Sequence, residues 1–363
     1  MNGQASQNKP PYRVPSMDEI AAVPWNGYTA ISTFSGCGGS SLGYKMAGFR
    51  VLWASEFVPA AQEVYRLNHP DTILDIRDIR QVQPSEILSA TGMQRGELDL
   101  LDGSPPCASF STAGKREAGW GKVKQYSDVK QRVDDLFFEY ARLLEGLQPR
   151  VFVAENVSGL VKGSAKGYFK LILQALKDCG YNVKAQVLDA QWLGVPQMRQ
   201  RLIFVGVRND LDVAPAFPKP LPYRYSVREA IGVALRTKSY AANDWTSGDD
   251  PAAAIQASGQ YFVGDANGFR SAGRGIGHVY PDVTNIPMPT IQAQRPVQLQ
   301  VEPETEKRKF SIAELRRICA FPDDFQLTGA FAQQWERLGR AVPPVMMSHI
   351  AATIRDEILC KTP

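Results

Sequence analysis

Short β-rich runs alternate with stretches of helical spacing through the first 207 residues, and that rhythm leaves few folds open. Thr29 to Phe34, Arg50 to Ala54, Leu98 to Asp102, Val151 to Ala154, Asn182 to Asp189 and Leu202 to Val207 read as strands. Between them, Ser40 to Ala47, Pro59 to Asn68, Asp134 to Glu145 and Tyr168 to Cys179 carry apolar residues at helical intervals, the last stopped by Gly180. Strand-helix alternation predicts an α/β protein built on a doubly wound, mostly parallel sheet. Past Pro215 the texture changes. Gly, Pro, Ser and Asn become frequent to about Glu304, and only Tyr261 to Val263 and Val297 to Val301 look like strands, which predicts a second, smaller, irregular β-rich domain. Helical signal returns at Ser311 to Ala320, opened by a Ser311/Glu314 capping box, and again over Val345 to Leu359. The expected division is a disordered polar lead-in over 1–15, a main domain over 16–214 and 305–363, and the smaller domain over 215–304.

Ligands of such sheets bind beyond the carboxyl ends of the strands, and the chemistry-bearing residues collect there. After the first strand comes Phe34-Ser35-Gly36-Cys37-Gly38-Gly39, a glycine-rich turn that lets a ligand reach backbone amides at a helix start. Its third position departs from the dinucleotide pattern, being Ser41. Glu56 stands past the second strand, where an acid can bind both hydroxyls of a ribose, so a nucleoside cofactor is indicated. Cys107, in Gly103-Ser104-Pro105-Pro106-Cys107, is a thiol on a rigid turn at the mouth of a strand, the setting of a presented nucleophile. Glu155-Asn156-Val157 follows another strand; its carboxylate reads as acid, clamp or solvated rim. Arg199 and Arg201, two apart before the strand at Leu202, read as a solvated edge or an anion clamp. The convergence of thiol, carboxylate and arginines on one side favours a site.

Composition narrows the class. No apolar stretch approaches the ~20 residues of a membrane span. Five cysteines without a C-x-x-C pair, and three histidines, argue against a disulfide framework and a structural zinc. A net charge of +4 permits a nucleic-acid partner without demanding one.

Taken in order, the Phe34 to Gly39 turn, Glu56, Asp78-Ile79, Pro105-Pro106-Cys107, Glu155-Asn156-Val157, Gln197 to Arg201, Phe321-Pro322 and Gly339 to Pro344 resemble the bacterial and phage DNA (cytosine-5)-methyltransferases, from about Tyr28 to Leu359. The resemblance implies a Rossmann-like methyltransferase sheet, with 215–304 as target recognition domain. It also implies S-adenosylmethionine as cofactor, no metal, double-stranded DNA as substrate, a monomer, and a cytoplasmic place in a restriction-modification setting. Cys107 would add to C6 of a flipped cytosine, Glu155 would serve N3, Arg201 would bind O2, and Arg199 would hold the carboxylate or thiolate. The cofactor would lie against Phe34, Ser35, Gly36, Cys37, Gly38, Gly39, Glu56, Phe57, Asp78, Ile79, Pro105, Arg340, Ala341 and Val342. Candidate DNA contacts are Ser109, Lys115, Arg116 and Lys122, in a flap over 108–132, and Arg270, Arg274, Thr290 and Arg295 in the recognition domain.

The chain departs from the family pattern at Arg340, where Asn is usual. Three outcomes are open there. Arg340 turns to solvent or to the methionine carboxylate; it weakens cofactor binding; or it selects carboxy-S-adenosylmethionine and the product becomes 5-carboxymethylcytosine. RNA cytosine-5 methylation on the same scaffold is a further alternative, which the sizeable region after Pro215 disfavours.

Overall fold

The computed structural model describes residues 9–106, 124–126, 129–131, 135–161, 165–231, 288–289, 298–300 and 307–362. Seven strands form one sheet: β1 (Thr29–Thr33), β2 (Arg50–Ser55), β3 (Ile73–Asp75), β4 (Leu100–Gly103), β5 (Val151–Val157), β6 (Tyr181–Asp189) and β7 (Gln200–Arg208). Their order is β3-β2-β1-β4-β5-β7-β6. The first five pair in parallel, and β7 runs antiparallel to both neighbours. The sheet is the doubly wound, mostly parallel arrangement that the alternation predicts, and the Rossmann-like one that the family resemblance implies.

Both faces of the sheet are covered, which is why its strands read as near-continuous apolar runs. On one face Ile31, Trp53, Leu101, Phe152 and Phe204 pack beneath α3 (Pro84–Thr91), α4 (Leu136–Leu147) and α5 (Lys166–Asp178). Alternate residues Ala30, Val51, Leu100, Val153 and Val205 face the other way. They meet Tyr44 of α1 (Gly39–Met46) and Met346, Met347 and Ile350 of a C-terminal helix. Between β2 and β3 lies α2 (Pro59–Asn68). The chain then ends in α6 (Ile312–Ile318), α7 (Phe331–Arg340) and α8 (Pro344–Glu357). Leu315, Phe321, Phe325, Trp335 and Leu338 from this last segment form a third core cluster with Cys37, Leu42 and Val64. The final stretch of sequence therefore folds back onto the first glycine-rich turn.

Most expected elements occur within a few residues of their sequence bounds, including the Ser311/Glu314 capping box. Strand β3 and helices α3 and α7 are additions to that expectation. Part of the lead-in expected to be disordered is packed instead. Tyr12 donates to the Arg317 carbonyl, Tyr225 donates to Pro10, and Lys9 pairs with Glu229. Of the smaller domain, residues 298–300 form a strand with 307–309, where a strand over Val297 to Val301 was expected. Tyr261 to Val263 lies outside the described residues. Met288–Pro289 pairs in parallel with Gln197–Met198, just before β7. Among the described residues, no helix is long and apolar enough to cross a membrane.

Candidate active site

Parallel strands β1, β2, β4 and β5 all end at one edge of the sheet, and antiparallel β7 begins there. That geometry alone brings together residues far apart in sequence. One half of this edge starts with the turn after β1. Ser35 is buried and donates to the Ser32 carbonyl at 2.8 Å. Gly36 and Gly38 have φ of +57° and +93°, which favour glycine. A Cβ on Gly36 would meet nothing within 4 Å, so the turn leaves an open cradle. Glu56, at the end of β2, is 9% exposed and closes the cradle's other side. Its carboxylate accepts from the Gly36 N–H at 2.7 Å and the Val58 N–H at 2.7 Å. Burial pushes the Glu56 carboxyl above the usual range, while these amides and Arg337 oppose the rise. Each oxygen keeps lone-pair capacity for a further donor such as a ribose hydroxyl.

Phe57 is half-buried beside Glu56. Asp78 caps the turn at Ile79 and pairs with Arg80 at 3.0 Å, and Arg80 also pairs with Asp135 at 2.6 Å. The 339–342 segment leaves α7 and covers the glycine-rich turn: a Cβ on Gly39 would stand 2.3 Å from the Val342 carbonyl. Cys37 Sγ donates to the Arg337 carbonyl at 3.7 Å. Burial pushes this thiol up to about 12, as it pushes Cys179 and Cys319 up to about 11, so none of these three is poised as a nucleophile. The four described cysteines are free thiols.

The other half is built at β5 and β7. Strand β5 runs three residues further than its sequence pattern suggests, so Glu155 lies within the strand rather than after it. Register sets Arg201 opposite Val157 and thus diagonal to Glu155 on the same face. Arg201 Nε meets Glu155 Oε1 at 2.7 Å, with both side chains largely buried. Arg201 thus holds the carboxylate; the family resemblance gives Arg199 the carboxylate or the thiolate to hold, and the thiol of Cys107 lies outside the described residues. Arg199 is 1% exposed and donates to the carbonyls of Gly339 at 3.0 Å and Arg340 at 3.3 Å. Burial first, then the charge of Arg201, pushes its guanidinium down to about 9, still cationic at neutral pH. Asn156 donates to the Pro105 carbonyl at 3.2 Å, tying the end of β5 to the Pro-Pro turn.

Arg340 ends α7 and its Nε meets Glu336 Oε1 at 2.7 Å, one helical turn back. The Arg340 side chain is 26% exposed. Sequence reasoning missed two groups under the site. Asp102 of β4 is 1% exposed and accepts from Ser32 at 2.9 Å and Tyr44 at 3.0 Å. Burial pushes its carboxyl up to about 7, against those two hydrogen bonds. His69 is buried under the turn, its Nε2 3.1 Å from the Gly38 carbonyl. An acid inside an apolar strand was a visible signal for Asp102; nothing local marked His69. Cys107, Ser109, Lys115, Arg116, Lys122, Arg270, Arg274, Thr290 and Arg295 lie outside the described residues.

A mostly parallel sheet with an open glycine turn closed by a buried acid at β1 and β2, and a paired acid at β5, fits the broad class of cofactor-dependent group-transfer enzymes. Comparison with known proteins narrows it. The model of the C-5 cytosine-specific DNA methylases matches residues 28–356, and the chain belongs to that family. It is 28% identical to the Type II methyltransferase M.NgoPII of Neisseria gonorrhoeae over 361 residues, covering 93% of this chain and 98% of that protein. It is 30% identical to M.PspPI of a Psychrobacter strain over 351 residues, covering 90% and 78% respectively. Among solved structures, a DNA modification methyltransferase encoded within an E. coli prophage shares the fold, with a TM-score of 0.64 at 20% identity. That match covers 92% of this chain and all of the other.

Proposed function

We propose that this chain transfers a methyl group from S-adenosylmethionine to C5 of cytosine in duplex DNA. The observation that carries the reading is the Glu155–Arg201 pair at the strand edge shared with the Glu56 cradle. The cradle fits the cofactor: open backbone at Gly36, a buried acid for a ribose, and a cover formed by 339–342. When bound there, S-adenosylmethionine supplies a methyl group on a sulfonium.

The rest is done by the chain. Cytosine C5 is a poor nucleophile, so Cys107 adds as thiolate to C6 and pushes electron density to C5. Glu155, oriented by Arg201, meets N3 and favours that addition. Once C5 carries the new group, its hydrogen leaves as a proton to a base or water, and the Cys107 thiolate is expelled. The cytosine must leave the stack for this, and the basic residues around Lys115 and Lys122 would bind the phosphates on either side of it.

A second reading is carboxymethyl transfer from carboxy-S-adenosylmethionine. It is favoured by one observation, a half-buried guanidinium at 340 on the segment that covers the cradle. Glu336 weighs against it, because Arg340 already has a carboxylate and needs none from the cofactor. Methyl transfer is therefore the reading adopted. The test is nucleoside mass spectrometry after incubation of purified protein with duplex DNA or transfer RNA and each cofactor. 5-Methylcytosine in DNA, absent with Cys107→Ser, is expected. 5-Carboxymethylcytosine as main product would establish the second reading, and product in transfer RNA alone would move the substrate to RNA.

A further inference from the structure

Arg199 stands at a junction. On its N-terminal side, Gln197–Met198 pairs with Met288–Pro289 of the 215–304 region. On its C-terminal side, Arg201 enters β7 and pairs with Glu155. Its own guanidinium reaches a third place, the carbonyls of Gly339 and Arg340 where α7 ends. Those carbonyls carry the negative end of the helix, and a buried cation there is favourable. Immediately after them, Ala341 turns to extended backbone, and Val342 lies against Gly39 of the glycine-rich turn. A side chain in the base-side motif is thus what fixes the backbone of the cofactor cover.

We infer that Arg199 is a positioning residue for the cofactor, holding the 339–342 segment over the glycine-rich turn, rather than a group that acts on cytosine. The fork of a guanidinium suits the task, since two nitrogens serve two successive carbonyls at once. Nearby Glu155 offsets part of the cost of burying the charge. The assignment separates two neighbours that sequence placed together: Arg201 serves the base, Arg199 serves the cover. It rests on the cofactor reading above, but its main test needs no DNA.

Calorimetric titration of Arg199→Gln with S-adenosylmethionine alone is expected to show cofactor affinity reduced about tenfold or more, the loss of two charge-assisted hydrogen bonds. Arg199→Lys, a point charge able to serve one carbonyl well, should fall between the Gln variant and wild type. If the Gln variant does not fold, as judged by its melting curve, the Lys variant carries the comparison with a smaller shift. A second readout is exchange of the cytosine C5 hydrogen in duplex DNA without cofactor, which follows addition of Cys107 to C6. Exchange should survive in the Arg199 variants and be lost in Glu155→Gln. Unchanged cofactor affinity, or exchange falling as far as affinity, would overturn the inference. Absence of exchange in the wild-type protein would instead count against the cytosine reading, leaving the cofactor titration to decide the role of Arg199.

Discussion

The two halves of the site are made from opposite materials. On the side proposed for the cofactor the exposed surface is backbone, and side chains hold it: Glu56 takes the amides of Gly36 and Val58, and His69 sits under Gly38. On the side proposed for the base the surface is side chain, and the sheet holds it: Glu155 and Arg201 meet because β5 and β7 pair in one register. Changes on the first side should therefore act through space and shape. Changes on the second should act through charge.

The sharpest way to break this division is Glu155→Gln, which keeps shape and removes charge. kcat should fall about 10²- to 10⁴-fold, with cofactor affinity measured by titration unchanged; an equal fall in both would erase the distinction. Next in size is a pH effect from the floor shared by both halves. Asp102 holds its proton up to about 7 in the folded protein, whereas unfolded it releases it in the usual carboxylate range. The folded state binds more protons between those values, so this group's contribution to stability falls as pH rises from about 4 to about 7. Asp102→Asn should remove that slope. Relative to the variant, wild-type protein should lose on the order of a few kcal/mol across the window, because each tenfold difference in proton affinity is worth about 1.4 kcal/mol. Melting curves between those pH limits read the loss. A variant that tracks the wild type would show that Asp102 is not the source.

Smaller still is Gly39→Ala, an addition of one methyl where the Val342 carbonyl stands 2.3 Å from its place. The cover must move, at a cost of about 1–3 kcal/mol, seen as weaker cofactor binding while the C5-hydrogen exchange persists. Asn156→Ala should cost least, about 1 kcal/mol for one lost hydrogen bond to Pro105. Being on the base side, it should lower exchange and spare the cofactor.

How much of this could be read from the chain depends on the distance over which each feature is decided. Strands such as Arg50–Ser55 and helices such as Pro59–Asn68 are written in local periodicity, and they appear as expected. Short β3 and the amphipathic α7 are not so marked: the residue that opens α7 is Ala330, which has no polar side chain to cap it, and β3 spans only Ile73–Asp75. Glu155 and Arg201 were visible as candidates because of residue type at strand ends. Their pairing was not, because it depends on β7 running opposite to β5. Arg199 has partners that its place in the motif does not suggest, for a related reason. They are carbonyls about 140 positions away, and a backbone acceptor leaves no trace in residue identity. The switch from Asn to Arg at 340 was legible, but the Glu336 that balances it became meaningful only once α7 placed it one turn away.

The return of the C-terminal helices onto the first turn has a consequence for synthesis. Glu56 and its amides emerge early from the ribosome, and Glu155 gains Arg201 midway. Neither Gly39 nor Arg199 meets its partners until residues 339–342 have been made, and α8 then packs Met347 and Pro344 against Gly43. A product of premature termination anywhere before that segment would display a glycine-rich turn with no cover. Such fragments should be open to proteases at their oldest part, the turn that Val342 covers in the finished chain.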